Sequence, residues 1–127
     1  MTTDCVPEQE FRVWSLGGVP IVTPPLEVDL GNAEAFGAAL AAASRGHATV
    51  VVDMTSTEFC DSSGLSALAA ALGRARAAGG ELRLVVGSPV VRRVLAVTGM
   101  DSVFVMFDEL PQAIAAPVSE PGPKPLI

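Results

Sequence analysis

Tyrosine is absent from the 127-residue chain, and lysine, histidine and tryptophan each occur once. The lysine, Lys124, lies in a proline-rich terminal stretch, so neither a Walker-type phosphate loop nor a lysine Schiff base has its lysine in the folded region. His47 stands in a polar Arg-Gly-His turn, where solvation is the ordinary role. Cys5 and Cys60 match neither a disulfide framework nor a metal-ligand set. With a single histidine they cannot supply the clustered ligands of a zinc site, and a reducing cytoplasm is the expected compartment. No apolar run approaches the ~20 residues that span a bilayer. The opening Met1-Thr2-Thr3-Asp4-Cys5 lacks the basic start and apolar stretch of a secretory signal. Basic residues are few, 8 against 14 acidic, for a net charge of −6. That balance repels phosphate backbones and anionic lipid, so neither nucleic acid nor a membrane surface is an expected partner.

Apolar residues make up 50% of the chain and charged ones 17%, a composition that folds. The length suits one small domain able to bury its own core. Phe11–Leu16 and Val19–Thr23 read as strands around Gly17-Gly18, and Pro24-Pro25 ends the second. Asn32 is placed to N-cap a helix reaching about Arg45, with Phe36, Leu40 and Ala43 at helical spacing. Thr49–Met54 is a β-branched run suited to a central buried strand. Leu65, Leu68 and Leu72 mark one face of a second helix, which carries Arg74 and Arg76 near its end and stops at Gly79-Gly80. Leu82–Val86 follows as a strand. Ser88-Pro89 then supplies an N-cap and a first-turn proline for a third helix that Gly99 closes. Val103–Phe107 is the last predicted strand and Pro111–Ala116 a short final helix.

The predicted order is β-β-α-β-α-β-α-β-α, an α/β domain with a largely parallel sheet. Residues 1–9 are expected to form a flexible N-terminus, and the proline-rich 117–127 a disordered tail.

The segment from Asp53 to Leu65, DMTSTEFCDSSGL, joins the central strand to the second helix. Turns at the carboxyl edge of a parallel sheet are where such folds place their sites. Asp61, Ser62 and Ser63 could each simply cap the helix, and Phe59 and Cys60 are expected to be core residues beneath the loop. Nucleophilic catalysis lacks its sequence support. Cys60 stands where a G-x-S-x-G elbow needs glycine, and no base is placed for Ser62. Paired carboxylates such as Glu27 and Asp29 could do acid–base work, although exposed acids in an acidic protein account for them equally.

The stretch from Val50 to Phe104 resembles STAS domains, the anti-sigma factor antagonists. The resemblance is carried by the strand ending in Asp53, the F-C-D-S-S-G-L turn, Ala-Gly-Gly before the next strand, Ser-Pro, Val94-Leu95 and Thr98-Gly99-Met100-Asp101. Upstream, Glu27-Val28-Asp29 is similar to the family's G-E-x-D segment, with Leu26 in place of the glycine. The resemblance covers about residues 10–116. It implies a single STAS-like domain, a mixed, mostly parallel sheet with helices packed mainly on one face. It further implies a regulatory binding protein rather than an enzyme, without cofactor or metal. Family antagonists bind an anti-sigma factor that is also a serine kinase; the kinase phosphorylates the first serine of the turn, Ser62 here, and a serine phosphatase reverses it. Asp29, Glu58, Asp61, Ser62, Ser63 and Gly64 are the residues expected on the partner-binding surface. A phosphate adds about −1.5 to −2 charges. Against carboxylates roughly 6 Å away the repulsion is on the order of 1–5 kcal/mol, and each ~1.4 kcal/mol is tenfold in affinity. A STAS docking subunit of a transport, lipid-trafficking or stress-signalling assembly, working without phosphorylation, is the alternative.

Overall fold

The computed structural model describes residues 11–117. Two strands, β1 (Arg12–Leu16) and β2 (Val19–Thr23), pair antiparallel around Gly17-Gly18, whose positive φ angles of 61° and 81° suit a tight hairpin turn. After β3 (Glu27–Val28) come helix α1 (Ala33–Ala43), β4 (Val50–Met54), β5 (Phe59–Cys60) and helix α2 (Ser62–Ala77). Strand β6 (Leu82–Val86), helix α3 (Pro89–Val97), a 3₁₀ turn at Met100–Ser102, β7 (Val105–Phe107) and helix α4 (Leu110–Ala115) complete the described chain. The main sheet runs β1-β2-β4-β6-β7, antiparallel only between β1 and β2 and parallel elsewhere.

The valine run of β4 is apolar without a break because both faces of the sheet are covered. Val50, Val52 and Met54 point to the large core with Leu82, Leu84 and Val86, against Phe36 and Leu40 of α1, Leu65 and Leu68 of α2, and Val91 and Leu95 of α3. Val51 points the other way, with Ile21 and Val85, under Ala113 of α4 and its partly buried neighbours Leu110 and Ile114. Three helices therefore share one face and a single short helix takes the other. This is the expected α/β architecture.

Several local expectations need correction. Asn32 does occupy the N-cap position of α1, but its side chain caps nothing: its oxygen accepts from the Asp29 N–H at 2.9 Å and its amide donates to the Glu27 carbonyl at 2.9 Å. The preceding loop thereby takes the side chain that the helix would use. Helix α1 stops at Ala43 rather than near Arg45. The last strand begins at Val105, two residues late, because the 3₁₀ turn after Gly99 consumes the chain and leaves Val103 39% exposed. Ser88 meets expectation, accepting from Val90 N–H and Val91 N–H ahead of Pro89.

The segment 1–9 and the tail from 118 onward lie outside the described residues. Pro117 is described, and its carbonyl accepts a hydrogen bond from Arg83 at 3.0 Å.

Candidate functional site

Sequence reading missed β3 and β5, and these two short strands build the site. They pair in parallel as a separate ribbon, Glu27 opposite Phe59 and Val28 opposite Cys60. Thr57 anchors the ribbon from beneath: it is fully buried, and its hydroxyl donates to the Pro25 carbonyl at 3.0 Å while its N–H donates to Met54 at 3.1 Å. The Leu26 carbonyl receives the N–H groups of Glu58 and Phe59, and the Val28 carbonyl receives that of Asp61 at 3.0 Å. Through that last bond the Glu27-Val28-Asp29 segment reaches the start of α2.

One face of the ribbon looks inward. Val28 and Cys60 are buried there, and Gly64 in the first turn of α2 packs directly on them. A Cβ at Gly64 would come within 2.6 Å of the Cys60 sulfur and 2.8 Å of a Val28 methyl, so only glycine lets α2 start this close. Gly64, expected on the partner-binding surface, is thus a buried packing position with no side chain to offer. Burial, and secondarily the charge of Asp61, push the Cys60 thiol up to about 12, so it stays protonated and unreactive near neutral pH. Phe59 departs from expectation in the opposite sense. It lies on the outer face of the ribbon opposite Glu27 and is 42% exposed, because strand alternation sends only every second residue inward.

Asp61 is the N-cap. One carboxylate oxygen accepts from the Ser63 N–H at 2.8 Å and the Gly64 N–H at 3.2 Å. Ser62 is consequently the first helical residue, exposed, and its hydroxyl makes no hydrogen bond among the described residues. Ser63 is half-buried and Glu58 exposed. Asp29 is half-buried and turns the chain into α1, its carboxylate accepting from the Gly31 N–H at 2.9 Å. The acidic residues Glu27, Asp29, Glu58 and Asp61 thus gather on the ribbon and beside the serine. Among the described residues no three His, Cys, Asp or Glu side chains are grouped to hold a metal ion.

A sequence model of the STAS domain matches residues 11–113, from the first strand into α4. The chain belongs to the STAS domain family. Several solved structures are similar to it in fold. A proposed anti-sigma factor antagonist of Thermotoga maritima gives a TM-score of 0.74 at 23% identity, over 82% of this chain and 91% of the other. An anti-sigma factor antagonist from Mycobacterium paratuberculosis gives 0.71 at 27% identity, over 83% and 90%. The Bacillus cell fate determinant SpoIIAA in its phosphorylated form gives 0.64 at 21% identity, over 83% and 96%. No curated protein shows a significant match. Among the described residues no helix of this STAS domain is long and apolar enough to cross a membrane.

For two residues the part they play in the ribbon carried no sequence signal. Thr57 sits in a polar Thr-Ser-Thr loop that gives no hint of burial. Leu26 matters through its carbonyl, which any residue possesses.

Proposed function

We propose that this STAS domain is an anti-sigma factor antagonist, binding a cognate anti-sigma factor that is also a serine kinase and controlling sigma-factor-dependent transcription. The kinase phosphorylates Ser62, phosphorylation ends binding, and a serine phosphatase restores it. The observation that carries this reading is the division of labour at the turn: Asp61 caps α2, leaving the exposed Ser62 hydroxyl free of any structural task. The similarity to the Mycobacterium paratuberculosis antagonist supports the class of function, and SpoIIAA shows that this fold exists in a phosphorylated form. The partner-facing residues are Asp29, Glu58, Asp61, Ser62 and Ser63.

The electrostatics suit a switch. A phosphate on the first helical residue meets the N-terminal end of the α2 dipole, which accepts negative charge without unfolding the helix. The same charge adds to the acidic residues around it and alters what a partner meets.

The test measures affinity for the cognate anti-sigma factor by calorimetry and locates phosphate by mass spectrometry. Ser62→Ala should bind as wild type, resist the kinase, and keep its melting temperature, since its hydroxyl caps nothing. Ser62→Asp should fold but bind more weakly, though less so than the phosphoprotein, because one carboxylate carries about half the charge. Ser63→Ala should still be phosphorylated. Wild-type affinity in Ser62→Asp together with no phosphate on Ser62 would overturn the switch in favour of a constitutive docking module.

A further inference from the structure

Between the ribbon and the N-terminus of α3 lies a groove of about 650 Å³, lined by Leu26, Thr55, Glu58, Gly87, Pro89 and Val90 among others. It opens beyond the carboxyl ends of β4 and β6. Gly87 keeps it narrow at the base, since a Cβ there would come within 2.6 Å of the Thr55 carbonyl oxygen. Leu26 is 42% exposed and Val90 53% exposed, so two large apolar side chains face solvent in one depression.

The groove walls are fixed in advance. Leu26 is held by the two N–H groups it accepts from Glu58 and Phe59, the 55–58 loop by buried Thr57, and the α3 end by the Ser88 cap. Backbone held this way loses little freedom when a partner arrives, which favours binding. The one charged residue that lines the groove is acidic. Glu58 lines the groove, Glu27 lies on the adjoining ribbon, and Asp61 starts the helix beyond Phe59. No arginine lines the groove; along α3, Arg92 is paired with Asp108 at 2.9 Å and Arg93 is exposed one turn on from Val90, leaving Glu58 the charge within the groove itself.

We infer that this groove is a docking site for a protein segment that presents an apolar side chain flanked by arginine or lysine. The apolar residue seats between Leu26 and Val90, and the flanking cations meet Glu58 and Glu27. That the segment belongs to the anti-sigma factor rests on the function proposed above; the chemistry the groove selects does not.

The test uses the full chain, ¹⁵N-labelled, titrated with the synthetic peptide acetyl-Gly-Arg-Leu-Leu-Arg-Gly-amide and followed by amide shifts. Shifts should concentrate at residues 26, 58, 87, 88 and 90. Affinity should fall at least about fivefold in the double variant Leu26→Ser/Val90→Ser, whose exposed positions should leave the melting temperature within a few degrees. A peptide with glutamate in place of arginine, and one with serine in place of leucine, should not bind. Equal binding of either control overturns the inference. Shifts confined to residues 61–65 also overturn it while leaving the Ser62 reading intact. A wild-type dimer in sedimentation that Leu26→Ser/Val90→Ser dissociates would assign the groove to a second copy of the chain, and the inference would fall. Groove shifts with no phosphate ever found on Ser62 would uphold the groove and sink the kinase reading alone.

Discussion

At Gly64 the smallest side chain does the positioning. The first turn of α2 lies directly on Cys60 and Val28, and those contacts bring the serine turn against the ribbon. Gly64→Ala should therefore destabilise the domain by about 1–3 kcal/mol through overpacking, read as a lower midpoint in urea unfolding. Because the nearest obstacle is the Cys60 sulfur, Cys60→Ala in the same chain should return part of the loss, a coupling that a double-mutant cycle measures. Independent, additive losses would show that the helix start does not depend on this contact. Gly64 also gives the D-S-S-G turn a structural part. Its serine is presented outward, and its glycine holds the presentation in place.

At the scale of the element, the N-terminus of α2 is fixed by Asp61 and not by either serine. Asp61→Ala should cost about 0.5–2 kcal/mol, the ordinary loss of an N-cap, whereas Ser62→Ala should cost almost nothing; circular-dichroism melts of the two variants separate the roles. Comparable losses in both would mean that the hydroxyl shares the capping. The larger elements were legible from sequence where two independent signals agreed. Ser88-Pro89 before and Gly99 after α3 outweighed a valine-rich composition, and the β4 run announced a strand covered on both faces. The ribbon was not legible, because two-residue strands have no period to detect and their pairing depends on partners 32 positions apart. Phe59 was misplaced for the same reason: without the ribbon, nothing indicates that Cys60 points inward and its neighbour outward. Asn32 shows a further limit, since a good capping residue can be diverted by a loop whose carbonyl and N–H groups lie closer.

Across the whole molecule, the thinly covered face of the sheet depends on one buried arginine. Arg83 projects from β6 to the α4 side, where it pairs with Glu81 at 2.7 Å and donates to the carbonyls of Ala113 at 2.6 Å and Pro117 at 3.0 Å. Arg83→Met keeps much of the volume but removes all three ties, and should destabilise by about 3–5 kcal/mol, as when one partner of a buried ion pair is lost. Hydrogen exchange should quicken first in α4. Unchanged protection there would show that Ala113 and its apolar neighbours hold the helix without the arginine. The architecture also sets an order in time. β1 and β2 are joined by a tight turn, whereas every parallel pairing waits for an intervening helix, and the ribbon joins partners 32 positions apart whose approach the pairing of β2 with β4 largely prepares. Once β4 is in place it carries Thr57 to its bond with the Pro25 carbonyl, which draws the two short strands together. The serine turn should therefore take its place only after β2 and β4 have paired, so that the most exposed part of the site is held by the most distant contacts in the chain.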